Sequence, residues 1–392
     1  MNEEKGIFIE DYSSVSCLGK DKESVYLNWL TDKTGIISKN FPDKTYAVAP
    51  LNDEVEKAIS AYIDSDKTLK NIDRTAVLAM YAAEKLKASC HTSDKLCINI
   101  GSSRGATAVF EKLYRQFIKD KNSLPPYTSP LTTLGNISGF VRKVFDKEAF
   151  IFSHSVTCST AMQSLANGVA WLKSEMADVY IAGASEAPLT PFTLAQMDAL
   201  KIYSKQLNNP YPCRPLEFLE NTMVLGEGAF LFKLTYRKPS EVEGSPVELL
   251  SVGYASEEPP NFSGIQDSGT AFKKSMLMAM EKLPKGEKPD AILLHAPGTI
   301  KGDRAEMNAI EHIFGNEKPL LIPSKWKTGH LLGASAAISL ELAILMLQKV
   351  FIPSFPSYLT NDKILSKPIE SIMINAAGFG GNAGSVIVRK RR

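Results

Sequence analysis

The chain has 392 residues, of which 44% are hydrophobic, and this is enough to build a large core in two domains or two halves. Its 45 basic and 43 acidic residues nearly balance, which gives no general attraction for nucleic acid or for a membrane surface. The five cysteines show no CxxC spacing, so neither a disulfide framework nor a metal site is indicated, and a cytoplasmic location is expected.

Two segments bear on export and membrane insertion. The N-terminal stretch 1–5 is polar and acidic, unlike a signal peptide. The most apolar run, 331–347, is interrupted by two serines and a glutamate, and it is short for a membrane span. We therefore expect no membrane span and interpret this run as a buried core helix.

The first half of the chain shows an alternation of strand and helix patterns. Strands are predicted at 6–9, 96–101, 150–153, 179–183 and 229–234, and helices at 25–30, 52–63, 74–88, 107–119 and 161–172. The strand at 150–153 is short, apolar and aromatic, which predicts a fully covered strand. The glycine-bearing turn 101–105 lacks the spacing of a phosphate-binding loop, so no nucleotide site is predicted there.

The same order of elements starts again after a charged segment, 236–246, that contains a proline and a glycine. Strands are predicted at 247–253, 291–295, 320–323, 372–375 and 385–388, with a helix at 270–283 and a long apolar helix after residue 330. The prediction is an α/β fold of two pseudo-repeated halves, 1–238 and 247–392. In this layered fold two charge-poor helices are expected to lie buried back to back in the centre.

Cys158 lies where the strand at 150–153 gives way to the helix at 161–172. A helix N-terminus favours an anion, so the thiol is expected to lose its proton more easily than a free cysteine and to act as a nucleophile. The alternative is that Cys158 is a small core residue. The polar motifs further along the chain favour the nucleophile.

Three such motifs follow at strand or helix ends. They are His295-Ala-Pro-Gly-Thr299, Lys325-Trp-Lys-Thr-Gly-His330 and Gly378-Phe-Gly-Gly-Asn382. With Cys158 upstream, the chain resembles over its whole length the elongating β-ketoacyl-acyl carrier protein (ACP) synthases, which are condensing enzymes of the thiolase-like fold. That fold implies layers in the order α-β-α-β-α. The resemblance implies decarboxylative Claisen condensation of an acyl thioester with malonyl-ACP, in fatty acid, polyene or polyketide synthesis.

The resemblance also implies a role for each motif residue. Cys158 carries the acyl group, and His295 and His330 donate hydrogen bonds to the oxyanion of the malonyl thioester. Lys325 holds the histidine network in order. The backbone N–H groups of Cys158 and Phe379 form the oxyanion hole for acyl transfer, and the Phe379 side chain gates access to the thiol.

Some positions depart from the family pattern. The family has two threonines that bind the pantetheine arm, whereas Pro297 replaces the first here and only Thr299 remains. The family glutamate nine residues after the second histidine is Ser339, with Glu341 two residues further on. These changes put in doubt the binding of the arm and the polar network behind His330.

The expected substrates are thioesters on the phosphopantetheine of an ACP, with no metal or nucleotide cofactor. Because carrier proteins are acidic, a local basic rim is expected, with Lys121, Lys201, Lys205 and Arg214 as candidates. The resemblance implies a homodimer or a heterodimer with a related subunit. The alternative function is a non-catalytic partner subunit of the chain-length-factor kind, but such subunits generally lack the reactive cysteine.

Overall fold

A computed structural model describes residues 3–90, 95–244, 247–258, 264–359 and 368–391. The strands are β1 (Gly6–Ser16), β2 (Ile37–Asn40), β3 (Thr45–Ala49), β4 (Leu96–Gly101), β5 (Ala149–Phe152), β6 (Val179–Glu186), β7 (Leu225–Gly226), β8 (Gly228–Arg237), β9 (Val247–Ser256), β10 (Ala291–Leu294), β11 (Leu320–Pro323), β12 (Ser371–Gly378) and β13 (Asn382–Lys390). The helices are α1 (Lys22–Trp29), α2 (Asp53–Ser65), α3 (Arg74–Leu86), α4 (Thr107–Lys119), α5 (Thr128–Thr132), α6 (Asn136–Phe145), α7 (Thr160–Lys173), α8 (Pro191–Ala199), α9 (Thr270–Met280), α10 (Ile300–Phe314), α11 (Lys325–Thr328) and α12 (Ser335–Lys349).

Ten strands form one sheet in the order β11-β10-β12-β13-β9-β1-β8-β6-β4-β5. The strands β5-β4-β6-β8-β1 come from the first half of the chain and β11-β10-β12-β13-β9 from the second, in the same order. In each half the first three strands are parallel and the last two pair antiparallel. The halves join where β1 pairs with β9. The predicted repetition of elements is therefore present as a repeated strand order.

Two helices, α7 and α12, lie between the halves. They pack against each other, and each contacts strands of both halves. Residues Ser335 to Leu347 of α12 are all buried. The outer faces are covered by α3 and α6 on one side and by α9 and α10 on the other. Successive side chains of a strand point to opposite faces of the sheet. Cys97 therefore packs in the core around the central helices, and Ile98 packs in the core under the outer helices. The two halves of the sheet therefore lie on either side of α7 and α12, which gives the predicted order of layers, α-β-α-β-α.

The apolar run near the C-terminus is a core helix, as predicted. Among the described residues, the stretch Leu332–Lys349 is long and apolar enough to cross a membrane, but 89% of it is buried inside the protein. A helix that is apolar all round is stable in water only in such a position.

The prediction of a fully covered strand at 150–153 is wrong. β5 is the last strand of the sheet, and the exposed fractions of Phe150 and Ile151 are 55% and 41% in the single chain. An apolar run indicates that side chains are to be covered, but it does not say whether the same chain covers them.

Candidate active site

The motifs that lie far apart in the sequence meet at one cavity of about 470 Å³. Cys158, His295, His330, Thr299 and Phe379 all line it. They come together because the loops that follow β10 and β12, the turn before α7 and the loop before α12 meet at the same ends of the strands. Side chains of Met197, Leu200, Ile202, Met223 and Leu332 provide an apolar wall.

Cys158 precedes α7 by two residues and is 7% exposed. The residue before it, Thr157, has a positive φ of 47°, which is rare for a β-branched residue and turns the chain sharply before the helix. Strain of this kind persists only where the surroundings enforce it, and it is concentrated at functional sites. The turn presents the thiol to the cavity.

The expectation of a lowered thiol pKa is wrong for this structure. Burial and, to a smaller extent, the nearby carboxyl of Glu186 raise the pKa of Cys158 to about 12, although the charge of Lys325 lowers it. The effect of the helix dipole is small beside the loss of hydration, because the thiol sits in an apolar cluster. In this state of the site the thiol is therefore neutral at pH 7.

His295 follows β10 and is held by its backbone. Glu306 of α10 accepts hydrogen bonds from the N–H groups of His295 (2.9 Å) and Ala296 (2.8 Å), and Asn375 donates to the same carboxylate. The Nδ1 atom of His295 is buried and has no hydrogen-bond partner among the described residues. Burial and the charge of Lys325 hold the pKa of His295 well below its usual range, so the ring is neutral.

His330 lies in the loop between α11 and α12. Its Nδ1 accepts a hydrogen bond from the backbone N–H of Leu332 at 2.8 Å, and the hydroxyl of Ser335 lies 3.1 Å from the same atom. A neutral ring that accepts at Nδ1 carries its proton on Nε2. Burial and Lys325 hold the pKa of His330 well below its usual range. The ring stands at 86° to that of His295, with 5.5 Å between the centroids.

Lys325 and Lys327 fix the backbone around the histidines. The ammonium of Lys325 is buried and donates to the carbonyl oxygen of His295. Lys327 points the other way, and its ammonium donates to the carbonyls of Asn28 (2.9 Å), Thr31 (2.7 Å) and Lys33 (2.6 Å). Three carbonyl acceptors satisfy a buried ammonium. They tie α11 to the loop after α1.

The Phe379 turn is attached to the Cys158 turn through the Phe379 carbonyl, which accepts from Thr157 Oγ1 (3.2 Å) and Asn382 Nδ2 (3.1 Å). The hydroxyl of Ser159 donates to Asn382 Oδ1. Only glycine fits at 378, since a Cβ there would lie 2.0 Å from Thr157 Oγ1. The two turns therefore form one unit around the thiol.

The departures from the family pattern have visible consequences. Pro297 supplies no hydrogen-bond donor to the cavity. The Thr299 hydroxyl caps α10 by accepting from Gly302 N–H at 3.2 Å. Ser339 faces Ser324 across 3.5 Å, whereas Glu341 is turned away and accepts from Ser14. Residues two apart on a helix point about 200° apart, so Glu341 does not replace the family glutamate.

The four candidates for the basic rim lie in different surroundings. Lys201 is exposed and lines the cavity. Lys121 and Lys205 are exposed but do not line it, and the guanidinium of Arg214 is paired with Glu217 and stacked over a tyrosine ring. The sequence analysis missed Lys301, an exposed residue that also lines the cavity. Its position two residues after Thr299, a predicted site residue, could have indicated that Lys301 lies at the cavity.

The sequence analysis also missed Asn221. Its side chain donates to the carbonyl of Lys201 (3.0 Å) and accepts from the N–H of Ile300 (3.0 Å), so it joins the two sides of the cavity. Nothing in the local pattern around Asn221 indicates this contact, because its two partners are distant in sequence. Among the described residues, no group of three metal-ligating side chains is close enough to hold a metal ion.

A buried cysteine with two neutral histidines in one cavity, at the centre of two repeated α/β halves, defines a condensing enzyme of the thiolase-like fold, which is an acyltransferase. The model of the β-ketoacyl synthase N-terminal domain matches residues 12–236, and that of the C-terminal domain matches residues 248–358. The chain belongs to the β-ketoacyl synthase family.

Individual relatives agree with this. A 3-oxoacyl-[acyl-carrier-protein] synthase 2 from Staphylococcus aureus is 25% identical over 414 residues, which cover 100% of this chain and 99% of that protein. A type II polyketide ketosynthase in complex with its acyl carrier protein has a TM-score of 0.86 at 19% identity, with coverage of 99% and 100%. A ketosynthase with its chain length factor from Xenorhabdus doucetiae has a TM-score of 0.78 at 22% identity, with coverage of 99% and 98%. The solved structures show the fold.

Proposed function

We propose that the chain is a β-ketoacyl-ACP synthase that condenses an acyl thioester with malonyl-ACP in chain elongation. The observation that carries the proposal is the meeting of Cys158 with His295 and His330 in one largely apolar cavity. A hydrolase needs a path for water and a single base, whereas a transferase must keep the acyl group from water.

In the first step Cys158 Sγ attacks the carbonyl of the acyl thioester. The S–C bond of the carrier breaks, and the thiol proton leaves with the carrier thiol, so that charge and atoms balance. The backbone N–H groups of Cys158 and Phe379 stabilise the oxyanion. The raised thiol pKa keeps Cys158 protonated in the free site, and the thiol proton passes to the carrier sulfur as the S–C bond breaks.

In the second step malonyl-ACP loses carbon dioxide and leaves an enolate. The Nε2–H of His330 donates to the enolate oxygen, and His295 acts as the second donor. The enolate carbon attacks the acyl-Cys158 carbonyl, a C–C bond forms and the S–C bond breaks. The freed thiolate takes a proton from solvent. Burial and the charge of Lys325 keep both rings neutral, and a neutral ring can donate a hydrogen bond without protonating the carbon.

The proposal requires no metal or nucleotide cofactor, because the substrates arrive on the phosphopantetheine of ACP. We place the enzyme in the cytoplasm, where the five buried cysteines are compatible with the reducing conditions. Lys121, Lys201 and Lys205 are proposed to contact the acidic carrier, and Thr299 to contact the pantetheine arm. We also propose that residues 1–238 and 247–392 form the two units of the fold.

The test is a reconstituted reaction with acyl-ACP and malonyl-ACP, in which a 3-oxoacyl-ACP longer by two carbons is expected by mass spectrometry. If neither an acyl adduct nor a condensed product forms with any of a panel of acyl groups, the chain is not a competent synthase by itself. The partner-subunit function would then be preferred. Pro297 and Ser339 are the two positions that favour that second candidate.

We further propose that two copies of this chain pair through β5. The outer edge of β5 has no partner strand in the described sheet, and its side chains include the exposed Phe150 and Ile151. Such an edge is prone to pair with another strand. A twofold axis places the same edge of a second copy opposite it. Exposed Phe110 and Tyr114 of α4 add apolar surface in the same half.

Phe150→Lys is expected to convert a dimer into a monomer, because it places charges of the same sign at a two-fold contact. Light scattering after size exclusion should give twice the chain mass of 43.0 kDa for the wild type and the single mass for the variant. Phe192→Lys is the matched control, since Phe192 is 57% exposed in α8, far from the sheet edge in sequence. A monomeric wild type, or a dimeric Phe150→Lys variant, would refute the β5 interface.

A further inference from the structure

The charge distribution along the cavity wall is uneven. Among the described lining residues the only charged side chains are Lys201 and Lys301, and both are exposed. Cys158 and the two neutral histidines are buried, with exposed fractions between 2% and 7%. The cavity therefore has a neutral, buried reactive end and a basic, exposed end.

The side chain of Asn221 forms hydrogen bonds to the backbone at or next to each of the two lysines. Asn221 donates to the carbonyl of Lys201 and accepts from the N–H of Ile300, each at 3.0 Å. Lys201 follows α8 with a positive φ of 56°, and Lys301 lies in the first turn of α10. Asn221 thus links the backbone next to each lysine across the cavity.

Both lysines are available for a ligand. Neither forms an ion pair with a carboxylate in the part of the chain that the structure describes, whereas Arg214 nearby is paired with Glu217. Pro297, which also lines the cavity, provides neither an N–H nor a side-chain donor. The two lysines therefore supply the charged contacts at this end of the cavity.

We propose that Lys201 and Lys301 bind the phosphate of the phosphopantetheine arm, and that Asn221 positions them. The inference rests on the proposed function and specifies its substrate site. The arm is a neutral amide chain with one anionic end, and it is this end that must stay near water, because burying an unpaired charge is costly. Ammonium groups pair with phosphate oxygens through charge-assisted hydrogen bonds. The neutral, buried end of the cavity matches the neutral amide chain, and the basic, exposed end matches the phosphate.

The test compares two unreactive probes, S-octyl phosphopantetheine and S-octyl pantetheine, which are thioethers that differ only in the phosphate. Calorimetric titration of the full chain is expected to give a dissociation constant about tenfold lower for the phosphorylated probe, as two partly exposed charge pairs allow. The Lys201→Met/Lys301→Met double variant should bind both probes equally and should bind the dephosphorylated probe like the wild type. Lys201→Arg/Lys301→Arg should retain the preference.

Lys274→Met is the matched control, because Lys274 is an exposed lysine of α9 that does not line the cavity. It should leave the preference for phosphate unchanged. The proposal is overturned if the double methionine variant keeps the preference, if it loses affinity for both probes alike, or if the wild type shows no preference or binds neither probe. Binding requires no acyl transfer, so this failure is distinct from a failure of the proposed condensation.

Discussion

Replacing Cys158 with alanine is expected to abolish acyl transfer and elongation, by about a thousandfold or more. The variant has no second thiol to take its place, because the other four cysteines are not among the residues that line the cavity. Intact-protein mass after incubation with acyl-ACP should show an acyl adduct on the wild type and none on Cys158→Ala. A variant that still elongates would contradict the assignment of the nucleophile.

Cys97→Ala is the control for this experiment, since Cys97 is buried in β4 away from the cavity and its loss should leave the adduct unchanged. The pH dependence gives a second measurement. Because burial raises the pKa of Cys158 to about 12, its alkylation by iodoacetamide should become faster with increasing pH through about pH 10. A rate that levels off near neutral pH would show that the thiol pKa is lowered instead.

His330→Ala is expected to separate the two half-reactions. Loss of one hydrogen-bond donor to the enolate should slow malonyl decarboxylation by about 100- to 1,000-fold. Acylation of Cys158 should fall by less than about tenfold, because its oxyanion is held by backbone N–H groups. His295→Ala should behave in the same way. The measurements are carbon dioxide release from malonyl-ACP and the rate of adduct formation, each made alone.

His312→Ala is the matched control, because His312 is exposed on α10 and lies outside the cavity. The decarboxylation rate of the wild type should also stay flat between about pH 6 and 8, since burial keeps the pKa of both active-site histidines well below their usual range. Equal losses of both half-reactions in His330→Ala, or a histidine titration in that pH interval, would contradict the proposed roles.

Much of the fold followed from the sequence because local patterns are sufficient for long, regular elements. The strand at 96–101 and the helix at 107–119 have the predicted bounds. The repeated order of elements predicted two similar halves, and the charge-poor run near the C-terminus predicted the central helix α12. α8 and α10 were missed, because each begins close to a proline or glycine that was interpreted as part of a loop.

The sequence alone also predicted Cys158, His295, His330, Lys325 and Phe379 as site residues, because their residue types and spacing match a family whose chemistry requires them. Only the tertiary structure decided how the environment of each group acts on it. The thiol pKa rises because burial outweighs the helix terminus, and the His330 tautomer depends on one backbone N–H. Hydration and hydrogen bonding depend on which distant segments pack around a residue, and a local pattern contains no information about those neighbours.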